Sequence, residues 1–302
     1  MRDFSRPLWL AGFFVLYLPV TYLLSLGLAG TAAGDVEDLS TLPLHVQEEA
    51  LLQAYAGVSF VWAVGIPMMV LTAVLAASAI ATETERGTIE ILLSKPIQRW
   101  EVLLGKFVAI VLFTLLAMVS GLLVAAAMVF YHSGASAAAI AGGIGAAVVG
   151  NVAYALLVAL VVGAIGTAAA VASGSRLRTA LVALLVPALF FAFIFVRAVG
   201  GDIYEDYLLY LLDVNYHFAN AFVFVHEAVG TGFSPPTQLF LEPVTGVYDG
   251  AGAGVDPLVG GMPPSVPLAG YVPPVASLGL LCSLAVALLV AGVYRFQRID
   301  IG

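Results

Sequence analysis

An all-α integral membrane protein with six transmembrane helices is the fold class that this sequence predicts, and three observations carry it. The chain is 62% hydrophobic and only 10% charged, with a mean hydropathy of +1.05 over 302 residues. Its apolar residues fall in runs long enough to cross ~30 Å of hydrocarbon, for which roughly 18 or more residues are needed. Its Lys and Arg gather in short segments between alternate runs. The formal net charge of −8 gives no support to nucleic-acid binding. The single cysteine, Cys282, excludes a disulfide framework or a Cys-based metal site within one chain, and its apolar surroundings read as buried packing.

Taken in order, the first span covers about 8–29, behind a basic start with Arg2 and Arg6. It exceeds the roughly 7–15 apolar residues of a signal-peptide core, so it reads as a retained span. An acidic loop with Asp35, Glu37, Asp38, Glu48 and Glu49 follows, and then a second span over 58–81, whose helix could begin near His45. The third span is expected at 107–131, the fourth at 146–171 after a Gly/Ala-rich lead-in, the fifth at 180–196 after a basic turn, and the sixth at 275–294. In lipid each must be a helix, because an unpaired backbone amide there costs several kcal/mol. Pro19, Pro67 and Pro187 are expected kinks, and small-residue spacings such as Gly142 to Ala146 and Gly163 to Thr167 suit close internal packing. The whole of 1–302 reads as one transmembrane domain.

Charge fixes an orientation independently of hydropathy. With the amino terminus cytoplasmic, ten of the eleven Lys and Arg lie inside and only Arg197 lies outside, whereas 13 of 19 acids lie outside. That bias follows the positive-inside rule and puts both termini in the cytoplasm. The acidic outer face would suit work in high salt.

The large external segment, 200–274, has two parts. From Asp202 to Val229 the Tyr, Phe and Leu content suggests one or two amphipathic or re-entrant helices at the headgroup level, serving as an anchor or lining a substrate exit. From Gly230 to Pro274 there are nine Gly and nine Pro in 45 residues, so a loop with little regular structure is expected.

The most informative stretch is 83–106, between the second and third spans, where four acids and four bases interrupt two uncharged runs. Over 84–94, Ile89, Leu92 and Leu93 share one helical stripe, with Glu83, Arg86 and Glu90 elsewhere, which suits a helix lying along the membrane surface. Pro96 stops it, and a new helix can start at Ile97 and continue into the third span. The product is a cytoplasmic elbow; an ordinary charged loop obeying the positive-inside rule is the plainer reading.

The same residues carry a family resemblance. Glu-Arg-Gly-Thr at 85–88, Ile-Leu-Leu-Ser-Lys-Pro at 91–96, Arg99 and Leu-Gly-Lys at 104–106 resemble the permease subunit of type 2 ABC transporters, and Arg-Phe-Gln-Arg-Ile-Asp-Ile at 295–301 resembles the family's ending. General likeness is greatest to the branch linked to multicopper-enzyme and nitrous oxide reductase maturation; the Gly/Pro-rich outer loop departs from the family pattern. The resemblance implies that the elbow is a coupling helix. Glu83, Glu85, Arg86, Gly87 and Thr88 would form its docking and hinge face, Pro96 and Arg99 its turn, and Lys106 an anchor at the headgroups. It also implies an ATP-binding cassette ATPase as partner, carrying ATP and Mg, a second permease copy (identical or a paralogue), a plasma-membrane location, and transport that is more plausibly outward.

The chain itself has no catalytic motif and no cofactor site. Leu103 to Phe107 contains Gly-Lys but lacks the rest of a phosphate-binding loop, and His226-Glu227 lacks the second histidine of a zinc protease, because Gly230 stands there. His45, His132, His217 and His226 all fall in expected outer segments and read as solvated loop or interface residues; His217 and His226 share a segment, which leaves an external metal-handling site open, but nine residues apart is no ligand spacing. No charge lies in a span core, which argues against an ion-coupled carrier. A non-transporting anchor or assembly factor that docks a soluble partner through the same elbow is the alternative function.

Overall fold

The computed structural model describes residues 5–33, 38–85, 98–200, 202–250 and 266–298. It is helical, and among the described residues there is no strand beyond one isolated antiparallel bridge, Tyr248 to Leu268. Among the described residues, six helices are long and apolar enough to cross a membrane.

The first span is α1, Ser5–Ala33, with Pro19 inside it. The second is composite: the apolar helical run covers Leu44–Ala81, 38 residues, starting beside His45, where the sequence allowed the helix to begin, and not at 58. At ~1.5 Å per residue a straight helix of that length would measure about 57 Å, well beyond the hydrocarbon thickness. The chain resolves the excess by breaking. Helix α2, Leu44–Val58, runs into a π-helical turn at Ser59–Ala63, where the Val64 amide donates to the Ser59 carbonyl at 3.0 Å. Gly65 then bends the backbone (ψ −129°), and α3, Ile66–Ala76, restarts with Pro67 in its first turn. Pro67, expected as a kink, thus sits at a helix start, where its missing amide proton leaves no bond unmade. A second π-helical turn, Ala77–Ala81, leads into the short α4, Thr82–Glu85.

The third span, α5, extends over Arg99–Ser133 rather than 107–131, and is capped by reciprocal bonds between Gln98 and Glu101. The fourth, α6 (Ala146–Ser173), follows a π-helical turn at Ala141–Gly145 and ends at left-handed Gly174. The fifth, α7, occupies Arg176–Gly200 instead of 180–196; Arg176 and Arg178 lie in its first turn, and the basic turn shrinks to Gly174 and Ser175. Between the fifth and sixth spans come α8 (Asp202–Asp206), α9 (Val214–Ala228) and α10 (Pro235–Thr245), and the sixth span is α11, Pro274–Gln297.

The core forms around α6, whose apolar window is 67% buried against 17% for α1. It packs against α3, α5, α7, α9 and α11. Gly166 lets α3 cross closely, since a Cβ there would lie 2.5 Å from that of Ala76. Gly163 faces Phe107 and Val111 of α5, and Gly142 faces the Glu48 carboxylate, so both small-residue spacings serve internal packing. The outer faces of the spans remain apolar and exposed, as at Leu16, Leu116, Leu123, Leu181 and Val290, a surface suited to lipid and not to water. Cys282 belongs to that exposed face and is not buried as expected.

The segment between the fifth and sixth spans departs most from expectation. Helix α9 does not lie at a surface: it is wedged among α6, α7 and α11, with Tyr216, Phe218, Phe222 and Val223 buried. The Gly/Pro-rich part holds a regular helix, α10, plus the Tyr248–Leu268 bridge, flanked by bonds from the Asp249 amide to the Pro267 carbonyl and from the Ala269 amide to the Val247 carbonyl (2.9 and 2.8 Å). Pro235 and Pro236 occupy the first turn of α10, where a missing amide proton costs nothing.

Candidate functional site: the legs of the elbow

The two legs of the elbow are α4, which leads out of the second span, and the start of α5. They meet at one end of the bundle, where Ala76, Ile80 and Ala81 pack with Leu103, Ile110, Ala170, Val171 and Phe296 in a small apolar cluster separate from the main core. Small residues on the second and fourth spans allow the approach, and Leu103 and Phe296 fill the space between.

Polar contacts then tie the legs to their neighbours. The Lys106 ammonium donates to Glu83 Oε2 at 2.5 Å and to the Ala79 carbonyl at 2.8 Å, which joins the third span to the last turns of the second. Glu85 Oε1 accepts the backbone N–H of Arg176 at 2.7 Å, so a carboxylate sits on the first residue of α7 and meets the positive end of that helix. Arg99 donates to the Gln297 carbonyl at 3.3 Å and Arg295 to the Ala172 carbonyl at 3.0 Å, placing guanidinium groups on the carbonyl ends of α11 and α6. Ser173 and Thr179 bond across the α6–α7 turn at 2.9 Å. Every span from the second to the sixth is therefore joined at this end.

Of the residues singled out in the sequence, Glu83, Glu85, Arg99 and Lys106 are brought together here, Glu83 directly on Lys106. Arg86, Gly87, Thr88, Pro96 and the surface helix read over 84–94, apart from 84–85 at the end of α4, lie outside the described residues.

Sequence reasoning missed a second polar assembly at the opposite end of the spans. Arg197, in the last turn of α7, forms a buried ion pair with Asp213 and donates to Asn215 Oδ1 at 2.7 Å and the Val244 carbonyl at 3.2 Å. Asp213 caps α9 through the Tyr216 amide at 2.8 Å and accepts the Tyr204 hydroxyl at 2.8 Å. Burial, and next the Asp213 carboxylate, hold the Tyr204 phenol well above its usual range. The histidines of α9 are not solvated. His217 bonds Ser277 at 3.0 Å and the Leu211 carbonyl at 3.2 Å; His226 bonds Thr231 at 3.0 Å and Asn151 at 3.3 Å, and Asn151 in turn donates to Ser59 at 3.1 Å. Burial lowers the His226 value to about 4. The one available signal was the presence of a base and an acid, Arg197 and Asp213, within sixteen residues of an otherwise uncharged or acidic stretch.

Six apolar helices long enough to cross a membrane, with a buried polar helix between the last two, define a polytopic membrane protein. The chain matches the family of ABC-2 family transporter proteins over residues 1–301, and it belongs to that family. A search of the curated proteins finds no match. Membership makes the chain the membrane-spanning part of an ABC transporter, a multi-pass protein that works with a separate ATP-binding subunit.

Proposed function

We propose that the elbow at 83–106 is the coupling helix of this permease, docking into a cytoplasmic ATPase subunit that supplies ATP and Mg, and that two permease copies or paralogues complete the transporter in the plasma membrane. The observation that carries this reading is the bonding of the elbow's legs to the rest of the bundle: Lys106 to Glu83, Glu85 to α7 and Arg99 to α11. A displacement of the elbow by a closing partner would be delivered to the second, third, fifth and sixth spans together. Glu83, Glu85, Arg86, Gly87 and Thr88 form the docking and hinge face, Pro96 and Arg99 the turn, and Lys106 the anchor. Charge bias supports both termini being cytoplasmic. Outward movement of an uncharged or apolar substrate is consistent with spans whose cores hold no fixed charge. Within the family, sequence likeness alone favours the branch linked to multicopper-enzyme and nitrous oxide reductase maturation.

The test is hydrolysis by the cognate ATPase reconstituted with this chain. Glu85→Ala and Arg86→Ala should lower the permease-stimulated rate to that of the ATPase alone; an unchanged rate in both variants would sink the coupling role. Stimulated hydrolysis without movement of any substrate would favour a docking anchor. In a Cys282→Ser background, Asp249→Cys should react with an impermeant thiol reagent from outside and Arg176→Cys only from inside.

A further inference from the structure

We infer that α10 is a clasp that holds the outward arm of the second span, α2, against the end of the fifth, and that it is the part of the bundle that opens at the end opposite the elbow. Three contacts place it. At its start, Glu49 of α2 accepts hydrogen bonds from Ser234, the residue that caps α10, and from the buried Thr237 at 2.6 Å. Along its length, Phe240 rests on Gly57 of α2 so closely that a Cβ at Gly57 would lie 2.9 Å from the ring. At its end, Arg197 of α7 donates to the Val244 carbonyl at 3.2 Å and lies against Gly246, whose φ of +64° terminates the helix. Helix α10 thus bridges the second and fifth spans at this end, gripping one through a carboxylate and the other through a guanidinium.

The arm it grips has a break beside the grip. Phe240 sits on Gly57, one residue before α2 ends, and the π-helical turn at Ser59–Ala63 and the bend at Gly65 follow at once. Residues above the break can swing away from α10 while α3 stays packed on α6 and α7. The two ends of the clasp are unequal. The Arg197 end shares its charge with buried Asp213, whereas the Glu49 end is one carboxylate on two hydroxyls at a half-buried position. The Glu49 end is therefore the one that releases, and α10 remains attached to α7.

That the release belongs to a transport cycle rests on the permease reading; that α10 is held by Glu49 does not. Amide hydrogen exchange on the full chain in nanodiscs separates the two. Without any partner, Glu49→Gln should raise exchange over 235–245 on the order of tenfold, as expected for loss of a charge-assisted contact, and leave 214–228 unchanged. Equal exchange in the variant and the parent would overturn the clasp. With the ATPase bound, a non-hydrolysable ATP analogue should raise exchange over 235–245 in the parent, and a bifunctional thiol cross-link between Glu49→Cys and Thr237→Cys in a Cys282→Ser background should abolish permease-stimulated hydrolysis until it is cleaved. Stimulation that survives the cross-link would overturn the opening step. Failure of the ATPase to respond to the elbow variants would instead remove the permease reading and leave the partner-free exchange result to decide the clasp.

Discussion

The two ends of the bundle are both held by charge, but in different settings. At the elbow end, the Lys106 and Glu83 side chains retain 18% and 36% of their exposure; at the opposite end those of Arg197 and Asp213 retain 11% and 0%. An ion pair in contact with water gains little, because hydration competes with it and salt screens it. A buried pair is costly to form and far costlier to break, since removing one member strands the other away from water. The contacts at the Lys106 end are thus open to water and to exchange of partners, while the Arg197 pair is shielded from both.

That difference can be broken at its strong end first. Asp213→Ala should destabilise the protein by about 3–5 kcal/mol, read as thermal unfolding in detergent, because it strands Arg197 and uncaps α9. Replacing both partners with Leu and Met should recover much of the loss; equal damage in the single and double variants would show that the pair is not the cause. The pH response comes next. His226 is held near 4 in the fold, below its ordinary value of 6.5, so its contribution is complete above about pH 6.5 and is lost as pH falls towards 4. The loss should reach about 3 kcal/mol, and His226→Gln should flatten it. Gly246→Ala should cost about 2 kcal/mol, since it adds a side chain in the left-handed region and displaces Arg197. The smallest effect belongs to the elbow: Lys106→Met should change stability by less than about 1 kcal/mol and by less still in high salt. A larger loss there would erase the contrast between the two ends.

The six spans were legible because hydropathy over some twenty residues depends little on tertiary detail. Their ends were less so. Helix α2 carries Gln47, Glu48 and Glu49, which lower its hydropathy, yet each side chain is met by another element: Ser136 bonds Gln47, Gly142 faces Glu48, and Ser234 and Thr237 bond Glu49. Those partners lie more than ninety residues away in several cases, beyond any local pattern. Helix α10 was hidden by averaging: counting Gly and Pro over 45 residues obscured an eleven-residue helix that places two of those prolines in its first turn. The five charged residues of 83–106 that the structure describes, Glu83, Glu85, Arg99, Glu101 and Lys106, were legible as a polar break between two spans, because charge between apolar runs has few places to go. Arg197, the one base on the wrong side of the charge bias, is explained by Asp213, a pairing that spacing alone did not reveal.

The burial of α9 also constrains how the protein is made. Some of its polar side chains find partners in residues that come later in the chain: His217 and Asn220 both bond Ser277, and Asn220 donates to the Val272 carbonyl at 3.2 Å. A chain that has delivered five spans therefore holds an α9 whose His217 and Asn220 still lack Ser277, although His226 already has Asn151 of the fourth span and Asn215 has Arg197 of the fifth. The sixth span thus supplies the last wall around α9, beside the two that the fourth and fifth already provide.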